Sequence, residues 1–348
     1  MLEVLLEDLE RRLDARVEDA LHVEWNRFVD GEWRGEIFSP ARTRAAPPLA
    51  GWPEVTVNEA IADMERMAIQ QFGMCSRSLA AGDGALLAVR CNYGTGILPS
   101  ILGAELFIMP DEMNTLPTSI PVKGGVDGIQ AILERGAPDL RAGLGARVFD
   151  MAERYLTLFE RYPAIGRYVH LYHPDLQGPM DACELLWGSS LFLDALDRPD
   201  LVHALLTLIT ETYIRFMRAW DRLAPAGAPY AVHWSLLHAG HIMLRDDSAM
   251  NFSPAMFREF ILPYDQRLLD ELGGGAIHFC GKGDHYIEQM STLRGLTAIN
   301  MSQPEYNDME TIYRNTIDKG IALIGLPRPA AEEALQRGRD LRNRVHCW

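Results

Sequence analysis

Three residues define the chemistry open to this chain: His278 and Cys280, two apart in Ala276-Ile277-His278-Phe279-Cys280-Gly281, and Cys347, the penultimate residue of the sequence. Read as a buried strand preceded by the glycines Gly273 to Gly275, that segment puts His278 and Cys280 on one face and Ile277 and Phe279 on the other. One face is apolar; the other offers an imidazole and a thiol, both zinc ligands. A second apolar run, Arg344 to Trp348, brings Cys347 to the pair only if the two strands converge. A Cys₂His set of this kind cancels the charge of Zn²⁺ with two thiolates and leaves a mild Lewis acid with an open fourth position. A thiolate on zinc stays deprotonated at neutral pH yet nucleophilic, as methyl transfer to sulfur requires. Taken singly, His278 reads as a hydrogen-bonded core histidine and Cys280 as a small buried hydrophobe.

Further polar groups stand at the ends of expected strands. His233 and Trp234 lie in one strand, and His238, His241, Arg245, Asp246 and Asp247 fill the loop behind it. Asp247 faces either a cavity or, as a surface cap, solvent. Gln177, His233, Asn300, Gln303 and Glu305 are candidate hydrogen-bonding partners for a small substrate. Lys282 and His285, just past the metal-type strand, suit a bound carboxylate or a proton donor, with a helix N-terminal role as the plainer alternative. Cys75, Cys91 and Cys183 read as packing residues, Cys91 being the reserve ligand after a candidate strand.

These side chains need a scaffold that gathers strand ends. Eight short apolar or β-branched runs recur: 86–90, 105–109, 168–173, 230–235, 276–280, 296–301, 321–326 and 345–348. Amphipathic stretches lie between them at 148–162, 199–221, 254–272, 308–319 and 330–341, and Ser253-Pro254 and Asn307-Asp308 supply helix starts. The alternation predicts an α/β fold, a (β/α)₈ TIM barrel with an N-terminal helical extension. An open doubly wound sheet gives a similar alternation, but no Gly-x-Gly-x-x-Gly follows a strand. Residues 1–80 fit the repeat less well: 1–31 reads as one helical stretch and 39–53 is rich in Pro, Ala and Arg. They are assigned to an extension packed on a barrel of residues 81–348. The loop from Pro110 to Gly125 is long enough for a lid or a dimer contact.

Composition narrows the partners. The 348 residues are 48% hydrophobic, enough for a large core, and no run of eighteen apolar residues suggests a membrane span. The acidic start lacks the pattern of a secretory signal, and five scattered cysteines suit reduced thiols, so a cytoplasmic protein is expected. A formal charge of −15 argues against nucleic acid as a partner.

Ser253-Pro254 with Phe257, Glu259-Phe260, Leu262-Pro263-Tyr264, the glycines and then Ile277-His278-Phe279-Cys280-Gly281 together resemble the uroporphyrinogen decarboxylase superfamily; Gly178-Pro179 and the strand from Leu296 to Gln303 are similar to it as well. That resemblance implies a TIM barrel, often dimeric, and an acidic residue near the substrate at the position of Asp247. True decarboxylases carry an Arg-Gln-Ala-Gly-Arg-Tyr motif, whereas this chain has Arg90-Cys91-Asn92-Tyr93-Gly94-Thr95-Gly96. The cobalamin-dependent methyltransferases of the superfamily bind zinc through His-x-Cys and a distant Cys, which His278, Cys280 and Cys347 match, although the chain stops where that family continues into a final loop and helix. The implied function is a zinc-dependent methyltransferase moving a methyl group between a small thiol or methoxyl compound and a corrinoid (cobalamin) carried by a partner protein, with Asp247 and His285 as catalytic residues. Two alternatives stay open: a metal-free decarboxylase of a tetrapyrrole or other polycarboxylate, and a metal or corrinoid carrier without turnover.

Overall fold

The structure, a computed structural model, describes the whole chain except Ala226 and Ala228. The expected N-terminal helix is two helices, Leu2–Arg12 and Ala15–Val29, because the Asp14 carboxylate accepts from the Arg16 N–H at 2.9 Å and starts a second one. The helix expected over 254–272 likewise divides into Pro254–Phe260 and Leu262–Leu272, as Pro263 has no N–H to continue the first. Ser253 caps the former through the Met256 N–H, at 3.3 Å.

Ten strands are present among the described residues: β1 Ala88–Val89, β2 Glu105–Phe107, β3 Thr118–Ile120, β4 His170–Leu171, β5 Tyr230–His233, β6 Leu236–Ala239, β7 Ile242–Arg245, β8 Gly275–Phe279, β9 Leu296–Met301 and β10 Ala322–Leu323. β7, β8, β9 and β10 form one parallel sheet in that spatial order. Single parallel bridges extend it past β10 through Leu323 to Val345, and from His346 to Phe38. β1 and β4 form a separate parallel pair, linked towards β7 by the Gly178 N–H donating to Arg245 O and the Met243 N–H donating to His173 Nε2.

The molecule is therefore α/β with parallel strands and helical crossovers, but its backbone ladders do not run as one closed ring of eight. Two expected ring strands are hairpin arms instead: β2 pairs antiparallel with β3, and β5 with β6. β7 occupies part of the expected loop, its strand pattern masked by the polar run Arg245-Asp246-Asp247 directly after Ile242-Met243-Leu244. The run at 345–348 makes only bridges.

Register explains what the parallel sheet can hold. Met243, Ala276, Ala298 and Ala322 are aligned across the four strands and pack in one cluster with Val232, Leu236 and Leu237 of the β5–β6 hairpin and Trp25 and Phe28 of the second helix. Three alanines in that row leave room for the hairpin to lie against the sheet. Their neighbours Leu244, Ile277, Ile299 and Leu323 point the other way, into the larger core under the helices. β8 begins on Gly275 because a Cβ there would sit 1.9 Å from the Ile242 carbonyl oxygen. One level further along, the row becomes Arg245, His278 and Asn300, so the inner face turns polar where the strands end.

Residues 1–80 share both cores with the rest: Leu2, Leu5, Leu6 and Leu9 join the larger cluster, and Leu21, Trp25, Phe28 and Phe38 the smaller. No helix among the described residues is long and apolar enough to cross a membrane.

Candidate metal centre

Strand alternation on β8 brings His278 and Cys280 to one face, and the turn after β7 adds Asp247. The Nε2 of His278 lies 3.3 Å from the Cys280 Sγ and 3.6 Å from Asp247 Oδ1. Ligand atoms of Asp247, His278 and Cys280 all fall within 4.8 Å of one another, the one such group of three among the described residues. Adjacent ligands on a tetrahedral zinc with bonds of about 2.0–2.3 Å are separated by roughly 3.3–3.8 Å, the range that holds the distances from His278 to Cys280 and to Asp247.

Each of these donors has a reason to be where it is. Asp247 opens the short turn Asp247–Asn251, and the Asp181 carboxylate, on the helix Pro179–Trp187, accepts from the backbone N–H of Asp247 at 2.9 Å and of Ser248 at 2.7 Å. Asp247 Oδ1 in turn accepts from the Cys280 N–H at 2.9 Å. The Asn300 amide donates to the Ile324 carbonyl at 2.7 Å, so its oxygen faces His278 Nδ1 at 2.6 Å. A carbonyl oxygen can only accept, so in the neutral ring Nδ1 carries the proton and Nε2 presents its lone pair to Asp247 and Cys280, the tautomer a metal needs.

Burial and the Asp247 carboxylate set the electrostatics of this group. Burial lowers the His278 pKa, opposed by Asp247, so the ring is neutral at physiological pH. Burial pushes the Cys280 thiol up to about 11, with Asp247 adding to the rise and Ser302 Oγ, 3.4 Å away, opposing it. Aspartate plus thiolate supplies two negative charges, the same total that two thiolates would give.

Cys347 stands apart from this group. The Phe38 carbonyl receives its N–H at 3.0 Å, and its side chain lies with Val345 in the core that holds Ile277 and Phe279, the face of the sheet opposite His278. Alternation turns His346 the other way, against the rings of Trp25, Phe28 and Phe38. Cys91 is buried in the same outer core as Cys347.

The remaining candidates divide into supports and outliers. Asn300 orients the His278 ring, and Gln303 accepts from the Gly281 N–H at 2.6 Å, shaping the loop after Cys280. Gln177 lines a cavity with Asp247. His233 is buried on the hairpin, where its Nδ1 meets His238 Nε2 at 2.8 Å, and it does not join the cluster. His285 Nε2 bonds the Phe252 carbonyl at 3.0 Å.

Two contributors carry little signal in the sequence. Asp181 carries a faint signal, a carboxylate in the first turn after Gly178-Pro179. Trp234 was noticed, but not its role at the hairpin tip. Trp234 and Ser235 have φ of 48° and 65°, as a two-residue turn of the type favoured in hairpins demands, and the indole ring lies 4.9 Å edge-on from His278 and 4.6 Å from the Arg245 guanidinium. The hairpin thus supplies a wall beside His278. Arg245 itself is buried and, like Arg90, ion-paired with Asp175.

Comparison with known proteins places these features. Residues 182–331 match the uroporphyrinogen decarboxylase (URO-D) family, a stretch that contains Asp247, His278 and Cys280. The resemblance read from the residues is borne out over that stretch. Among solved structures, a methyltransferase from Methanosarcina mazei superposes with a TM-score of 0.64 at 19% identity, over 94% of this chain and 91% of that one, which establishes a common fold. No curated protein matches the chain.

Proposed function

We propose that this protein is a zinc-dependent methyltransferase that exchanges a methyl group between a small thiol or methoxyl compound and a corrinoid (cobalamin) carried by a partner protein. The observation that carries this reading is the cluster of Asp247, His278 and Cys280. Asp247 takes the place assigned to Cys347 in the ligand set. When bound, zinc supplies a Lewis acid that holds a substrate sulfur deprotonated or polarises a methoxyl oxygen.

The chain's own residues do the positioning. Asn300 fixes the His278 tautomer, Asp181 fixes the turn that presents Asp247, and Trp234 walls off one side of the ligands. The strand pieces and crossover helices are read as a distorted (β/α)₈ barrel of residues 81–348, with residues 1–80 as an extension whose second helix packs against the hairpin side of the sheet. The likeness to a methyltransferase of the same fold supports the reaction class. The decarboxylase alternative calls for arginines free to take substrate carboxylates, and both Arg90 and Arg245 are engaged by Asp175.

The test is transfer itself. Zinc-loaded protein mixed with methylcobalamin and a small thiol is expected to consume the methylcobalamin absorbance and yield the S-methyl product, with none formed after chelation. Absence of transfer with zinc bound, together with loss of CO₂ from a polycarboxylated tetrapyrrole by metal-free protein, would replace this reading with the decarboxylase.

A further inference from the structure

His278 and Cys280 are held by different means. His278 lies within the β8 ladder, in register with Arg245 and Asn300, whereas Cys280 is the first residue past Phe279, where β8 ends. Strand geometry therefore fixes the imidazole and leaves the thiol to the turn that follows. Gly281 has a φ of 73°, a conformation that glycine adopts without strain, so the chain bends directly after the thiol.

One side chain ties that turn to the loop after β9. Asn307, half-buried between the turn Pro304–Tyr306 and the helix Met309–Asn315, accepts through Oδ1 from the N–H of Gly283 at 2.7 Å and of Asp284 at 3.0 Å. Its Nδ2 donates to the Gly281 carbonyl at 2.9 Å and the Gln303 carbonyl at 2.7 Å. Both donors and both lone pairs of the amide are engaged, and a flipped amide would set donor against donor and acceptor against acceptor. Gln303, anchored by that bond, accepts from the Gly281 N–H, and Ser302 Oγ in the same loop stands 3.4 Å from the Cys280 Sγ. The capping role suggested by Asn307-Asp308 belongs to Asp308, whose carboxylate accepts from the Glu310 N–H at 3.1 Å. That leaves the Asn307 amide to the turn.

We propose, on the metal-centre reading above, that Asn307 is a positioning residue: it holds residues 281–284 so that the Cys280 sulfur stays beside His278 Nε2 and Asp247, in the place of a zinc ligand. Asn300 does this for the imidazole, and Asn307 does it for the thiol.

Two readouts test the assignment. Of the five cysteines only Cys280 is not buried, so iodoacetamide reports its thiol in the folded, metal-free protein. Cobalt(II) bound to the same protein reports sulfur ligation through the thiolate-to-metal charge-transfer band. Asn307→Ala is expected to speed Cys280 alkylation several-fold, to weaken that band per bound cobalt, and to raise the cobalt Kd about tenfold, the lower end for a residue acting behind a metal ligand. Asp308→Ala, which removes the adjoining helix cap and leaves the amide bonds of Asn307 in place, is expected to lower stability in urea and move neither readout. Either readout unchanged in folded Asn307→Ala, or reproduced by Asp308→Ala, overturns the assignment. Should Asn307→Ala not fold, Gln303→Ala, which removes only the bond to the Gly281 N–H, decides on the same two readouts. If the wild type takes up no cobalt, the metal-centre reading fails, and the alkylation rates alone decide whether Asn307 places the thiol.

Discussion

Replacing Asn300 with valine removes two hydrogen bonds, one to His278 Nδ1 at 2.6 Å and one to the Ile324 carbonyl at 2.7 Å. The first determines which nitrogen of His278 carries the proton, so its loss frees the ring to rotate and to place a proton on Nε2, where a metal cannot bind. Partners of this kind are worth about 10–100-fold in metal affinity, or roughly 1.4–2.8 kcal/mol. The second loss leaves a carbonyl unpaired, a penalty of about 1–3 kcal/mol in folding stability. Zinc affinity is measured by competition with a chromophoric chelator, and stability by urea denaturation of the metal-free protein. The expected outcome is a Kd raised by about one to two orders of magnitude in a variant that is folded and modestly less stable. A folded variant with unchanged zinc affinity would refute the tautomer reasoning.

Other consequences are directly measurable. Because the Cys280 thiol sits at about 11 and His278 is neutral, zinc binding near pH 7.5 should release about one proton, seen as a buffer-dependent enthalpy in calorimetry, with affinity rising as pH rises; no proton release would contradict the thiolate ligand. Asp265 is pushed up to about 8 by burial, beside the likewise raised Asp246, so the native state keeps a proton that the unfolded chain, with its carboxyls near about 4, gives up. That contribution is fully present below pH ~4 and lost as pH rises through about 8, and Asp265→Asn should flatten the decline in stability between pH 5 and 8.5; an unchanged slope counts against it. Ser235→Gly should stabilise the metal-free protein by about 1 kcal/mol in urea melts, since Ser235 has a φ of 65° in the hairpin turn; destabilisation would show that the turn is not strained.

Local periodicity made the metal strand legible: Gly273 to Gly275 break the preceding helix, and alternation puts His278 and Cys280 together. The helices at 145–161, 199–223 and 328–336 follow from their apolar spacing in the same way. What the sequence hid was parity and pairing. Arg344 to Trp348 alternates too, but nothing within five residues says which face is inward, and the core under the helices took Cys347 while the aromatic cluster took His346. The hairpin was obscured because its turn is Trp234-Ser235, without the glycine or asparagine that marks such turns. Asp247 was legible as an acid near a site, but its distance to His278 depends on Asp181, sixty-six residues earlier, which only the fold brings near.

The ligand set is tested most directly by zinc stoichiometry and X-ray absorption of the wild type beside Asp247→Asn, His278→Ala, Cys280→Ser and Cys347→Ser. One zinc with one sulfur ligand is expected, lost or greatly weakened in the first three variants and retained in the fourth. Two sulfur ligands, or zinc that disappears with Cys347→Ser and persists in Asp247→Asn, would contradict it.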